Sequence, residues 1–342
     1  LGVLKTGVLL INLGTPDQPH TREVGRYLRE FLMDPYVIDI PYLARWILVN
    51  GAIVPFRAPR SAQAYQKIWR AEGSPLKYYH LRLTQLVSEA LAPLPVVAGM
   101  RYGEPSLSFA LAQLKEQGVS RVLVVPLYPQ YALASTTSSL EKTRALANKM
   151  SLEIVALEDF YRHTEFVAAE VAVAAETLGG HSFDHYLFSY HGLPVRHLKK
   201  AANPECLAST TCCDSIGTRN RYCYRAQCVA TTRAIAQGLH LRQTEYSISF
   251  QSRLGRTPWI QPFTDFEYER LARAGVRRLA VFCPSFVADC LETLEEIAIR
   301  GREQFLSVGG EELVLIPSLN DHSRWVQAVT AMVRELDSSH KT

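Results

Sequence analysis

The chain has 342 residues, 47% of them hydrophobic and 20% charged, with a formal net charge of +4. That length supports two domains or one large one around a substantial core, and the composition excludes a low-complexity or disordered chain. The small positive charge is spread along the sequence without basic clusters, which argues against a nucleic-acid partner and leaves room for an anionic ligand.

In chain order, LGVLKTGVLLINLG runs straight into a strand pattern with no small-residue cleavage site, so a cytoplasmic location is expected. The strand VLLINL (8–13) is followed by IPYLARWILVNGAIVPF (40–56), the most apolar stretch of the chain. Arg45, Asn50, Gly51 and Pro55 break it well short of the roughly 18 apolar residues that span a bilayer. Ser74-Pro75 then reads as a helix start, with proline in the first turn. The strand VVAGM (96–100) leads into a helix opened near Pro105 and ended by Gly118, and the strands VLVVPL (122–127) and IVAL (154–157) follow. A second series is YLFSY (186–190), YSISF (246–250), LAVFC (279–283) and LVLIP (313–317). Apolarity that is continuous rather than alternating through most of these runs predicts strands covered on both faces, hence parallel sheets.

The two series echo each other at their strand ends. INLGTP answers SYHGLP, MRYGEP answers QSRLGRTP, and PLYPQY answers CPSFVAD. This internal duplication predicts an α/β fold of two doubly wound, Rossmann-like domains, each with a four-stranded parallel sheet and with the active cleft between them. The first domain is expected over 1–170 and the second over 171–320, with a final helix in 321–342 packing back. In such sheets ligands bind outside the carboxyl ends of the strands, where the polar and glycine-rich stretches cluster. The chain has no G-x-G-x-x-G, no P-loop, no G-x-S-x-G and no H-E-x-x-H, so nucleotide binding and serine hydrolysis lose ground.

His191 ends a strand before Gly192-Leu193-Pro194, a tight, stiffened turn that would present the imidazole to a ligand. In SFVADCLETLEEIAIRG (285–301), Asp289 reads as an N-cap, and Glu292 and Glu296 share one helix face. Glu295 reads as a solvated acidic residue near the helix start. A histidine and a carboxylate across a cleft can exchange protons or hold a divalent metal such as Fe²⁺. Tyr102, Tyr128, Tyr131 and Trp259, all near strand ends, suit a large flat ligand.

Residues 8–16 (VLLINLGTP), 65–76 (YQKIWRAEGSPL), 128–142 (YPQYALASTTSSLEK), 188–194 (FSYHGLP), 249–265 (SFQSRLGRTPWIQPFTD) and 285–294 (SFVADCLETL) together resemble the ferrochelatase family, in order and over nearly the whole chain. The resemblance implies insertion of ferrous iron into protoporphyrin IX, the last step of haem synthesis. It implies His191 and Glu292 as the essential pair that handles iron and protons, with Glu296 behind them. Leu13, Arg101, Tyr102, Tyr128 and Trp259 are implied as substrate-binding residues. The asparagine of INLGTP resembles the protoporphyrin enzymes; coproporphyrin III is the competing substrate. Other readings are a cobalt or nickel tetrapyrrole chelatase and a two-lobed iron- or haem-binding protein. One departure stands out: Cys290 occupies a position where many relatives carry histidine.

Two further features follow from the resemblance. The stretch 41–57 resembles an apolar lip, and its large apolar residues beside Arg45, Arg57 and Arg60 predict peripheral membrane contact through Leu43, Trp46, Ile47 and Phe56. The stretch 200–228 resembles an insertion that in a subset of the family holds a [2Fe–2S] cluster, and CLASTTCCDSIGTRNRYCYRAQC (206–228) holds five of the seven cysteines. An odd cysteine count without an export signal argues for metal binding over disulfides. The spacing C-x₅-C-C-x₉-C-x₄-C lacks the C-x₂-C knuckle of many zinc sites. Cys206, Cys213, Cys223 and Cys228 are the expected ligands, with Cys212 the alternative, because adjacent residues on an extended backbone point apart. Cys283 and Cys290 read as small buried apolar residues.

Overall fold

The eight Val-, Ile- and Leu-rich runs all form strands: β1 (Thr6–Gly14), β2 (Val96–Tyr102), β3 (Arg121–Pro126), β4 (Glu153–Ala156), β5 (His185–His191), β6 (Tyr246–Gln251), β7 (Arg278–Phe282) and β8 (Glu312–Leu315). The computed structural model describes residues 5–202, 211–255 and 257–339. The strands form two four-stranded sheets of order β2-β1-β3-β4 and β6-β5-β7-β8, with every pairing parallel. The expected fold class holds: the chain is α/β, and the same strand order occurs twice.

Burial follows from the composition of the strands. Val8 to Ile11 in β1 and Val122 to Val125 in β3 have no exposed surface, as central strands covered on both faces require. In the first sheet, Leu9, Val97, Val122 and Val124 pack with Leu107, Ala110, Leu111 and Leu114 from the helix Leu107–Glu116. In the second, Leu187, Leu279 and Val281 pack with Tyr268 and Leu271 from the helix Thr264–Arg273 and with Phe305. The chain divides into two compact units: Leu1–Tyr128, Leu133–Asp159 and Val326–Thr342 in one, Pro129–Ala132 and Phe160–Trp325 in the other. The last helix, Ser323–Ser338, thus places most of its length in the first unit, where Val329, Met332 and Val333 are buried.

Glycine punctuates the carboxyl ends of the central strands in both units. Gly14 closes β1 with φ +118°, and a Cβ there would lie 1.8 Å from the Tyr102 carbonyl oxygen. Gly192 follows β5, and a Cβ there would lie 2.8 Å from the Gln251 carbonyl oxygen and 3.2 Å from the Trp259 ring. Both turns need a residue without a side chain because a neighbouring strand end crowds them.

The apolar stretch after β1 folds as a helix Tyr42–Ile47, a π-helical segment Leu48–Ile53 and a helix Val54–Ile68. Its large apolar side chains face outward: Leu43 is 68% exposed, Ile47 57%, Trp46 49% and Phe56 74%. Arg45 does not belong to this surface. It is buried, and its Nη1 donates to the carbonyls of Ile38 (2.9 Å) and Ile40 (3.2 Å), so it ties the preceding turn instead of flanking an interface. Among the described residues no helix is long and apolar enough to cross a membrane.

Candidate active site

Within the second unit, the site is assembled around the end of β5. His191 pairs in register with Gln251 of β6, and the Gly192 amide donates to the Gln251 carbonyl at 2.8 Å. The His191 amide donates to Ser285 Oγ at 3.0 Å, and its carbonyl accepts from the Tyr224 hydroxyl at 2.8 Å. The half-buried ring rests edge-on against Phe286, with centroids 6.1 Å apart. Its Nδ1 lies 2.6 Å from the Gly192 carbonyl oxygen. A carbonyl only accepts, so this contact places the proton on Nδ1 and makes Nε2 the basic nitrogen of the neutral ring.

The acidic segment follows β7. It is not one continuous α-helix: a single turn Leu291–Thr293 passes into a π-helix Leu294–Gly301 and then a helix Arg302–Ser307. The N-cap is Cys290, one residue later than expected. Asp289 sits just outside, where its carboxylate accepts from Thr293 Oγ1 (2.9 Å), Asn320 Nδ2 (2.8 Å) and the Ser318 amide (3.3 Å). These bonds fix the start of the segment from a loop after β8. Glu292 and Glu296 are both half-buried. The Gln251 side-chain amide donates to the Glu292 carbonyl at 2.8 Å, so one residue spans the gap between the His191 strand and the Glu292 turn. Glu295 is buried and paired with Arg300 at 3.2 Å, a structural ion pair instead of the solvated residue its position suggested.

Trp259, half-buried, donates from Nε1 to the Leu254 carbonyl (2.9 Å), and its backbone bridges Pro194 in the turn after His191. In the first unit, Leu13 is half-buried beside the Gly14 turn, and Asn12 Oδ1 accepts from its amide at 2.8 Å. Tyr128 is buried with its hydroxyl 3.1 Å from Ser139 Oγ, and burial pushes its phenol above the ordinary range. Arg101 and Tyr102 turn their polar ends to Asp34, a residue that nothing in the sequence patterns singled out. Leu13, Arg101, Tyr102, Tyr128 and His191 thus lie at or within two residues of the carboxyl end of a strand, while Trp259, Glu292 and Glu296 come from the segments that follow β6 and β7.

The ferrochelatase family model matches residues 5–336. The chain belongs to the ferrochelatase family. It is 47% identical over 333 residues to a ferrochelatase of Coxiella burnetii (strain CbuK_Q154), covering 97% of this chain and 94% of the relative. It is 46% identical over 335 residues to those of Bdellovibrio bacteriovorus and Legionella pneumophila (strain Lens), covering 97% of this chain and 99% of each relative. Among solved structures, SirB from Bacillus subtilis with Fe³⁺ aligns with a TM-score of 0.54 at 14% identity, over 79% of this chain and 94% of that one. A sirohydrochlorin chelatase SirB from B. subtilis subspecies spizizenii in complex with cobalt aligns with a TM-score of 0.53 at 11% identity, over 99% and 97%. At these identities the structural likeness speaks for the fold alone.

Against the ferrochelatase pattern, Cys290 is buried beside Glu292. Desolvation first, and the nearby Glu292 carboxylate second, push its thiol well above the ordinary range, so it is a protonated thiol and not a substitute histidine base. In the cysteine-rich tract, Cys206 lies outside the described residues. Cys213, Cys223 and Cys228 are all buried. Cys213 is hydrogen-bonded to Cys223, and this bond, with desolvation second, raises its thiol. Cys228 lies within electrostatic reach of both, and burial raises it well above the ordinary range. Cys212 and Cys213 do not point apart as on an extended backbone, because residues 211–215 form a turn. Their sulfur atoms lie 3.7 Å apart; burial distinguishes them, since Cys212 is half-exposed. Among the described residues, no group of three or more His, Cys, Asp or Glu side chains is arranged to hold a metal ion.

Proposed function

We propose that this ferrochelatase inserts ferrous iron into protoporphyrin IX and releases two protons. Metallation must remove two pyrrole N–H protons while a dication sheds water and enters a flat, stiff ring. The observation that carries the assignment of roles is the His191 ring held by the Gly192 carbonyl, which leaves Nε2 as its basic nitrogen. A neutral imidazole is a suitable acceptor near pH 7, and its orientation is set before substrate arrives. Glu292, held by its backbone to Gln251, supplies a carboxylate that receives iron or the second proton. Leu13, Arg101, Tyr102, Tyr128 and Trp259 contact the porphyrin in this reading. Rigid walls hold the ring bent so that its nitrogen lone pairs face the metal, an instance of binding energy from remote contacts offsetting strain. The choice of protoporphyrin rests on Asn12 in INLGTP. It is tested by measuring iron insertion into protoporphyrin IX and coproporphyrin III side by side, and faster turnover of coproporphyrin would reverse it.

A peripheral membrane position belongs to the same reading, supported by the outward-facing Leu43, Trp46, Ile47 and Phe56. So does a [2Fe–2S] cluster on Cys206, Cys213, Cys223 and Cys228. Thiols are the donors such a cluster takes, and Cys213, Cys223 and Cys228 are buried, although they are not gathered as a three-ligand group in this structure. Such a cluster supplies one-electron redox chemistry, which porphyrin metallation does not use. The four cysteines therefore serve structure or sensing, and no proton or metal step runs through them.

A further inference from the structure

Beyond the residues that the sequence assigns to the site, Ser252 stands out on two independent counts. Its φ of +65° lies in the left-handed region that a non-glycine residue seldom occupies, and such strain persists where surrounding structure imposes it. It also engages both oxygens of one carboxylate: its amide donates to Glu296 Oε1 at 2.9 Å and its hydroxyl to Glu296 Oε2 at 2.5 Å. The left-handed turn is what aims amide and hydroxyl at the same group. The preceding residue is Gln251, which pairs with His191 and donates to the Glu292 carbonyl. Gln251 is itself held, its Oε1 accepting from Ser189 Oγ at 2.7 Å. Two consecutive residues at the end of β6 thus reach the histidine strand, the Glu292 turn and the Glu296 side chain.

We infer that Ser252 is a positioning residue for metal delivery: it holds the Glu296 carboxylate at a fixed place behind the His191–Glu292 pair. The inference rests on the functional reading above and deepens it. With both oxygens occupied by donors from one residue, Glu296 acts as an oriented carboxylate along which a dication approaches the His191–Glu292 pair. Two charge-assisted hydrogen bonds converging on one carboxylate give the arrangement its rigidity.

The test compares Ser252→Ala, Ser252→Gly, Glu296→Gln and each Ser252 variant combined with Glu296→Gln, using ferrous iron and, separately, zinc with protoporphyrin IX. Ser252→Ala should raise the KM for either metal about tenfold, the size expected for losing one hydrogen bond to a charged group, with the porphyrin KM unchanged. Ser252→Gly suits the backbone, keeps the amide donor and loses only the hydroxyl. It should show the same metal KM with a thermal midpoint no lower than wild type. In the Glu296→Gln background neither Ser252 variant should change the metal KM by more than about twofold, since effects through a shared partner do not add. An unchanged metal KM in Ser252→Gly overturns the inference, as does an equal effect with and without the Glu296 carboxylate. A wild-type chain that metallates neither porphyrin defeats the functional reading; an active one whose Ser252 variants keep the wild-type metal KM defeats only this inference.

Discussion

The hydroxyl of Tyr102 donates to Asp34 Oδ2 at 2.8 Å, tying a residue at the end of β2 to one in the turn after the first helix. The same oxygen accepts from Ser138 Oγ at 2.6 Å and from Arg101 Nη2, while Asp34 Oδ1 accepts from the Tyr36 amide at 2.7 Å. Arg101 Nε also donates to Ser138 Oγ at 2.7 Å. Asp34 is buried, so its charge is balanced by these partners and not by water. Asp34→Asn keeps the shape but leaves the Arg101 guanidinium uncompensated. It should destabilise the fold by about 3 kcal/mol, in the range for breaking a buried ion pair from one side. Denaturant midpoints would register the loss, and a change below roughly 1 kcal/mol would mean that water reaches the pair.

Replacing His191 by alanine should leave the fold intact and lower metal insertion by at least about 10²-fold, the lower end of general acid–base effects. Glu292→Gln should fail comparably, because the amide keeps the shape without charge or a protonatable oxygen. The check is a continuous zinc-insertion assay beside a circular dichroism spectrum of each variant. Turnover above about a tenth of wild type in His191→Ala would remove the imidazole from proton transfer.

The outward apolar surface predicts reversible association with lipid bilayers. Each of Trp46 and Phe56 contributes roughly 1.5–3 kcal/mol if it enters the interface. Trp46→Ser combined with Phe56→Ser should therefore weaken sedimentation with liposomes by more than about a hundredfold in partition coefficient. Soluble activity should hardly change, and equal partitioning of the double variant would show that the lip does not meet lipid.

Two buried groups tilt the pH–stability profile in opposite directions. Burial pushes the Glu170 carboxyl up to about 8 and lowers His80 to about 4. Between the ordinary carboxylate value of 4.5 and pH 8 the folded chain keeps a proton on Glu170 that the unfolded chain releases. Its contribution is full below 4.5 and is lost as pH rises through 8. His80 stays neutral in the fold while the unfolded chain takes up a proton below 6.5, so stability falls as pH drops from 6.5 towards 4. Each slope is limited to about 1.4 kcal/mol per pH unit. Glu170→Gln should remove the loss of stability between pH 4.5 and 8 and leave the fall below 6.5 that His80 causes, as urea midpoints across the range would reveal.

Purified without oxygen, the protein should be brown and carry about two acid-labile sulfides per chain, as a [2Fe–2S] cluster requires. Cys213→Ser should bleach it, because Cys213 is the described thiol that bonds to Cys223 and touches Cys212. Colourless protein with one zinc and no labile sulfide would replace the cluster with a zinc site.

The strands were legible in the sequence because the central ones are apolar runs that burial on both faces explains, and the duplicated strand ends made the grouping of all eight visible. His191 was legible from its turn: the glycine that the Gln251 carbonyl demands is written beside it. Asp34, Gln251 and Ser252 were not. Their roles depend on hydrogen bonds to residues 41 to 104 positions away in the chain, which no local pattern encodes. Asp34 precedes Pro35 and reads as an ordinary turn residue. The π-helix was hidden for a related reason: LETLEEIAIRG has good α-helical periodicity, and the Ser252 bonds to Glu296 that hold one side of it come from 44 positions away. Cys212 and Cys213 show the reverse failure, where an assumed backbone conformation gave the wrong sulfur geometry.

The first compact unit draws its last helical residues, from Val326 onward, from the far end of the chain. A ribosome delivers residues in order, so this unit stays incomplete while the entire second unit is made. The second unit is contiguous from Phe160 to Trp325 apart from four residues already emerged, so it can close first. This division predicts that the second unit closes before the first, against the usual amino-to-carboxyl sequence of domain folding. The surface that Val329, Met332 and Val333 finally cover remains wet until these residues have emerged, and a chain stalled before Val326 would present it to chaperones and proteases.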